Sequence, residues 1–380
     1  MASTAFGELQ VAELTPMAGW TFAYNVNADL VTSTTTGSGS ISGASGFAVL
    51  STGAATDSSA KIETKLPLRY IPGQGALLRF TAIFTEGLAG STQIIGVGDD
   101  TDGLFFGYNG ATFGVMRRYN GTDDWTPVTE WDNRGWGTRW IDSLDWTKGN
   151  IFQIQFQWLG FGELRFFIEN RDTGGFESVH NIEYAGLNTT TSLLNPTLPV
   201  MAQVINTTND TAIVMQTPSA MAFCEGRVDN PPPPHPLALR RVVTASKASV
   251  STQANIVTLS NQATWQTKTN RIRSQLRTLS VATDGTKTAV IRLTRDTTLG
   301  GSPSYSDYNA NTSPVQYDTA GTTLTGGTLL FAATLDKVDA QIFDLSAEGI
   351  FLAPGEKITV SAQSSSGTDV TVTLAWVDLI

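Results

Sequence analysis

The chain has 380 residues, enough for two or three domains, with 41% hydrophobic and only 15% charged side chains and a net charge of −10. So little charge throws surface polarity onto Thr, Ser, Asn, Gln and Gly, which fits β-rich extracellular or particle-forming proteins better than a helical cytosolic enzyme. The acidic balance excludes wholesale nucleic-acid binding, because neutralising phosphates needs clustered Lys and Arg. A single cysteine, Cys224, excludes an intramolecular disulfide and a cysteine-based metal site.

Residues 1–60 are expected to form an N-terminal arm or anchoring region with short strands. Trp20, Phe22 and Tyr24 alternate as a strand would. The following Ser/Thr/Gly-rich stretch offers Ile41, Phe47, Val49 and Leu50 for short edge strands. The first residues, MASTAFGELQVAELT, lack the basic and apolar regions of a signal peptide, and no apolar run is long enough to span a membrane. Synthesis in a cytoplasm and no membrane insertion are therefore expected.

Residues 61–227 read almost wholly as strands. ALLRFTAIF and TQIIGVG lead into DDTDGLFFGYNGATFGVMRR, residues 99–118. Asn109-Gly110 between LFFGY and ATFGV is a strong hairpin signal of the type I′ kind. Gly107 and Gly114 lie inside the two strands, where glycine signals a bulge or a close backbone approach. Asp99, Asp100 and Asp102 match only a fragment of an EF-hand. A solvated turn is the expected reading, with a structural calcium as the one cofactor alternative and no other cofactor expected.

Six of the nine tryptophans fall in residues 125–158. Glu130-Trp131-Asp132 starts a Glu-x-Asp-x-x-Glu glycosidase pattern, but the sixth position is Gly135, so the second carboxylate is missing. The segment TEWDNRGWGTRW does not alternate as a strand does. Trp131, Trp136 and Trp140, with Asp132, Asn133 and Arg139, either contact carbohydrate or pack as a loop, and the residues leave both open. IFQIQFQWL, 151–159, sets Phe152, Ile154, Phe156 and Trp158 on one face and three glutamines on the other. His180 is expected on a strand surface, and a Ser-His-Asp triad would have to depend on it alone. No catalytic residues are assigned, and the chain is expected not to be an enzyme.

VDNPPPPHPLALRR marks a semi-rigid linker, residues 228–239, because consecutive prolines favour polyproline II. Residues 1–230 carry 12 basic and 23 acidic side chains, and residues 231–380 carry 12 and 11, so the two sides differ in chemistry. Residues 240–380 read as a second set of about seven strands. Arg271, Arg273 and Arg277 in RIRSQLRT are expected on one face, as a contact to an acidic neighbour such as another subunit.

PGQGALLRFTAIF with STQIIGVGDDTDGLFFGYNGATFGVMRR, and the C-terminal VIRLTRDTTLGGSPSYSDYNANTSPVQYDTAGTTLTGGTLLF with FLAPGEKITVSAQSSSGTDVTVTLAWVDLI, resemble modules of structural proteins of tailed bacteriophages and large DNA viruses. That resemblance spans roughly residues 60–227 and 240–380. It implies an all-β chain, a concanavalin- or lectin-like β-sandwich followed by a jelly-roll-like C-terminal sandwich. It further implies a fibre, spike or decoration protein on the virion surface, a homotrimer with capsid or tail proteins as partners, serving host attachment or particle stabilisation. The alternatives are a carbohydrate-binding adhesin using the loop 125–146 against a host surface glycan, and a polysaccharide depolymerase.

Overall fold

The structure, a computed structural model, describes residues 12–132, 140–226, 228 and 238–379. The chain divides into two compact units, Met1–Val228 and Asp229–Ile380. The proline-rich linker lies outside the described residues except for Val228 and its last two positions, Ala238 and Leu239, which already begin a strand. Among the described residues no helix is long and apolar enough to cross a membrane.

The first unit is an antiparallel two-sheet sandwich of the lectin-like kind. Its seven-stranded sheet runs, in spatial order, β10 (Thr122–Pro127), β9 (Thr112–Tyr119), β8 (Gly103–Asn109), β7 (Ser91–Gly98), β14 (Val200–Asn206), β5 (Ser58–Thr64) and β2 (Val31–Thr36). The nine-stranded sheet runs β13 (Gly175–Ile182), β12 (Leu164–Asn170), β11 (Asn150–Phe156), β6 (Gly75–Phe84), β15 (Val214–Thr217), β4 (Phe47–Ser51) and β3 (Ser40–Ala44). In it β16 (Ser219–Glu225) also pairs with β6, and β1 (Leu14–Thr21) pairs with β16. Period-two alternation puts one set of side chains between the sheets. Phe152, Ile154 and Phe156 of β11 are buried there as their phase requires, against Phe80, Phe106 and Phe166.

Two expectations change here. The first sixty residues do carry short strands, but β1 to β5 are built into both sheets, so no separate arm exists from Leu14 onward. Trp20 and Phe22 are core residues, while Tyr24 is fully exposed. The β8–β9 hairpin forms, but Asn109 pairs with Thr112, so the turn is Gly110-Ala111. Of these turn residues only Gly110 has a positive φ, at 59°. Glycine at the first turn position belongs to the II′ geometry, in place of the two positive φ values of type I′.

The second unit is a jelly roll. One sheet runs β17 (Ala238–Val250), β31 (Thr368–Leu379), β21 (Arg273–Gly285) and β28 (Asp339–Asp344), with β29 (Phe351–Leu352) also on β21. The other runs β24 (Ser306–Asp307), β25 (Val315–Asp318), β18 (Ala254–Asn261), β30 (Lys357–Ser364), β22 (Ala289–Arg295) and β27 (Thr328–Leu335). Two small ribbons, β19 (Thr264–Trp265) with β20 (Lys268–Thr269) and β23 (Thr298–Leu299) with β26 (Leu324–Thr325), complete it. Taken in chain order, the strands of six or more residues fall first-eighth-third-sixth in one sheet and second-seventh-fourth-fifth in the other. That interleaving is the double Greek key.

The arginines expected as a subunit contact are not a free face. Arg271 is buried, and Arg273 lies 4.8 Å over the Phe351 ring of its own unit. A bulge between Leu276 and Thr278 shifts the phase at Arg277, whose basicity is lowered by burial and by Arg240. A bulge is invisible to residue spacing, because it adds one residue without changing composition.

Candidate functional site

The face of the seven-stranded sheet turned away from the inter-sheet core carries an apolar cluster of its own. Ile94, Phe105, Met116 and Met201 are buried there, with Trp125 half-buried beside them. Strand register explains the grouping: Trp125 stands opposite Met116, Met116 opposite Phe105, Phe105 opposite Gly96, and Gly96 opposite Met201. The same face carries glycines at alternate positions, among them Gly107 and Gly114, which are paired. A Cβ on Gly107 would come 1.8 Å from the Gln93 carbonyl oxygen. One on Gly114 would come 2.3 Å from the Thr126 carbonyl oxygen and 3.0 Å from the Trp125 ring, so only glycine fits where the indole and the β10 backbone close over this position. The Trp125 Nε1–H is buried without an acceptor, which costs about 1–3 kcal/mol for a neutral donor.

Charged pairs frame the cluster. Arg118 clasps Asp123 on the neighbouring strand (Nε–Oδ1 2.6 Å, Nη2–Oδ2 3.1 Å), donates to the Asp99 carbonyl, and covers the Phe105 ring at 5.5 Å. Lys61 lies 3.0 Å from Asp100 and 3.6 Å from Glu63. Burial opposes the charge on Lys61, yet the Glu63 and Asp100 carboxylates outweigh it and hold its pKa above the usual lysine value. Burial raises the Glu63 pKa despite Lys61. Glu63 is therefore the carboxyl on this face that takes up a proton more readily than usual.

The three aspartates of the β7–β8 turn serve the backbone. Asp99 Oδ1 accepts from the Thr101 and Asp102 amides, and Asp102 accepts from the Leu194 and Asn195 amides, tying a distant loop to the turn. With Asp100 paired to Lys61, the calcium reading of Asp99, Asp100 and Asp102 fails. Among the described residues no group of three or more His, Cys, Asp or Glu is placed to hold a metal.

The tryptophan loop is likewise corrected. Trp131 is only 3% exposed and meets Phe106, Phe113 and Trp146 edge-on, so it is core and not a sugar platform. Trp140 is half-buried and donates to Glu177 (2.9 Å), and Asp132 accepts from the Asn181 amide and lies 3.0 Å from His180 Nδ1. Both therefore fasten the loop to β13. Asn133, Trp136 and Arg139 lie outside the described residues. The tryptophan that stands half-buried on the outer face of the seven-stranded sheet, Trp125, was legible only through the alternation of glycines with Phe105, Met116 and Trp125.

His180 is buried on β13 where a surface position was expected, because its ring stacks on Phe166. Burial lowers its pKa below 6.5, with Asp132 opposing. The folded unit thus favours the neutral ring while the unfolded chain protonates first. The contribution is complete above 6.5 and is lost as pH falls toward the folded value. The urea midpoint of the wild type should drop between about pH 7.5 and about pH 5, and His180→Gln should flatten that drop.

No protein-family model matches the chain, and no curated protein matches it. Solved structures of similar fold include a glycosyl hydrolase family protein from Mycobacterium fortuitum (12% identity, 55% of this chain and 99% of that one, TM-score 0.39). A second is from work on endo-acting O-glycanases of human gut microbiota that initiate mucin breakdown (9%, 55% and 99%, 0.40). A third is the metal-free carbohydrate recognition domain of Emp46p (9%, 55% and 99%, 0.34). At such identities and scores the likeness assigns neither activity nor ligand to this chain. The expectation that the chain is not an enzyme is withdrawn, a glycosyl hydrolase family protein being among the structures of similar fold.

Proposed function

We propose that the chain binds carbohydrate through the outer face of its seven-stranded sheet. The observation that supports this is Trp125, an indole laid over Gly114 at the rim of an apolar cluster, with an unpaired N–H and the Arg118–Asp123 pair beside it. An aromatic surface with a few fixed polar groups is the usual chemistry of a small-ligand site. A sugar offers the matching parts, C–H faces for the ring and hydroxyls for the polar groups. The O-glycanase and lectin-type neighbours agree with this choice of ligand.

On the sequence resemblance alone we further propose that the chain is a homotrimeric fibre, spike or decoration of a virion surface, with capsid or tail proteins as partners and a host glycan as ligand. Mass spectrometry of purified particles tests that setting, and absence of the chain from them rejects it.

For the site itself, Trp125→Ala should weaken glycan-array binding about tenfold or more, a change of about 1.4 kcal/mol per decade. Trp140→Ala should leave it unchanged. Array binding that survives Trp125→Ala rejects the assignment. Incubating the chain with the bound polysaccharide and measuring released oligosaccharide decides whether binding is accompanied by cleavage.

A further inference from the structure

The nine-stranded sheet also has an outer face, and the Trp125 reading does not use it. There Arg165 stands opposite Gln155, Gln155 opposite Leu77, and Leu77 opposite Phe223. One step further along the strands Gly75 faces Glu225. A cavity of 370 Å³ opens at this end, lined by Gly75, Gln155, Gln157, Glu163, Arg165 and Glu225. It falls within the range of small-ligand sites, roughly 300–1,000 Å³.

Its polar groups are unequally used. Glu163 accepts from Arg165 Nε at 2.8 Å, so these two charges answer each other. The Gln155 amide donates to Oε1 of Glu225. The other oxygen, Oε2, lies above Gly75, where a Cβ would come within 2.0 Å of it. Glycine at this position therefore makes room for the Glu225 carboxylate, whose Oε2 has no hydrogen bond among the described residues. Gln157, exposed at the rim, adds a second amide.

This set of groups selects a ligand. Amides both donate and accept, a carboxylate accepts, and a guanidinium donates, so hydroxyls, which do both, satisfy all of them. Within the cavity two carboxylates against one guanidinium disfavour an anion, and Arg79, which donates to Gln153, stands further along the same face. Beyond Phe223 the same face continues as a groove of 480 Å³ that includes Thr81, Ile151 and Met221. From the Gly75–Glu225 row to the Thr81 row is six residues, roughly 20 Å at 3.3–3.4 Å per residue.

We propose that this cavity is a second carbohydrate site, separate from the Trp125 face, with a neutral sugar residue in the cavity against the Glu225 carboxylate and the chain of sugars running along β16 over Phe223 and Met221. Two sites on opposite faces of one sandwich would let a single copy engage two glycan chains, a gain in avidity without any new contact.

The test uses the full chain carrying Trp125→Ala, so that the other face is silent. Neutral gluco-, manno- and galacto-oligomers of about one to six units are titrated by calorimetry, with chain length chosen to span the groove. Affinity should rise from the single sugar to the longer oligomers for at least one series. Glu225→Gln, and separately Gly75→Ala, should each weaken it about tenfold or more. Circular dichroism and urea midpoints confirm that both variants fold. The proposal is overturned if no series binds in this background, if both variants bind as their parent does, or if butylammonium displaces the sugar. Loss of binding on Trp125→Ala alone, with these titrations intact, would bear on the first site and leave this one standing.

Discussion

Replacing Phe106 by alanine is expected to cost the first unit about 3–5 kcal/mol, the range for removing a fully buried aromatic side chain. The ring is completely buried and lies within 4.9 Å of Phe152, 5.4 Å of Phe166, 6.1 Å of Trp131 and 6.2 Å of Phe80, centroid to centroid. It joins both sheets and the tryptophan loop, so no single neighbour can move in to fill the space. Hydrogen exchange should show lost protection in β8, β11 and β12 together. Protection lost in β8 alone would mean that the cluster does not act as one body. Phe106→Leu, which keeps most of the volume, should be milder.

An effect of similar size is expected in the second unit from Asp378→Ala. This carboxylate is fully buried and accepts from Ser274 Oγ (2.7 Å), Ser313 Oγ (2.8 Å), Trp376 Nε1 (3.0 Å) and Arg241 Nε (3.2 Å). It thus links β17, β21, β31 and the segment before β25. Removing one partner of a buried charge pair costs about 3–5 kcal/mol because the remaining groups are left desolvated and unpaired. Arg241→Ala should be milder, since Arg241 is partly exposed and the three neutral donors keep their acceptor. Urea unfolding with hydrogen exchange read in β21 and β31 checks both. Equal midpoints for the two variants would show that the arginine, and not the network, dominates.

The proposed binding and the stability of the fold should be separable for a physical reason. The residues proposed to meet ligand, Trp125 and Glu225, are half-buried on outer sheet faces, and the inter-sheet core does not include them. Substituting them removes ligand contacts at little cost to the core, whereas Phe106 and Asp378 act on the fold alone.

Much of the architecture was legible from alternation. A strand with one buried face writes its phase into the sequence, and IFQIQFQWL placed Phe152, Ile154 and Phe156 correctly. The hairpin at residues 103–119 was found from its glycine, although the turn shifted by one residue because pairing across the ladder, and not the dipeptide, sets the register. The candidate sites were less legible. Trp131 and Trp125 look alike in sequence, six residues apart, yet one is core and the other stands on an outer face. Local spacing carries no information about which non-local strands close over a side chain.

Composition, periodicity and turn residues by themselves determined an all-β chain of two sandwich-sized sets of strands without a disulfide. These are local properties, fixed by side-chain polarity and backbone preference within a few residues. Which aspartates would be consumed by backbone amides, which arginines would fold back on their own unit, and where glycine would make room for the Glu225 carboxylate were decided only in the tertiary structure. Each depends on strands brought together from far apart in the chain, such as β6 and β16, whose register sets what each residue faces.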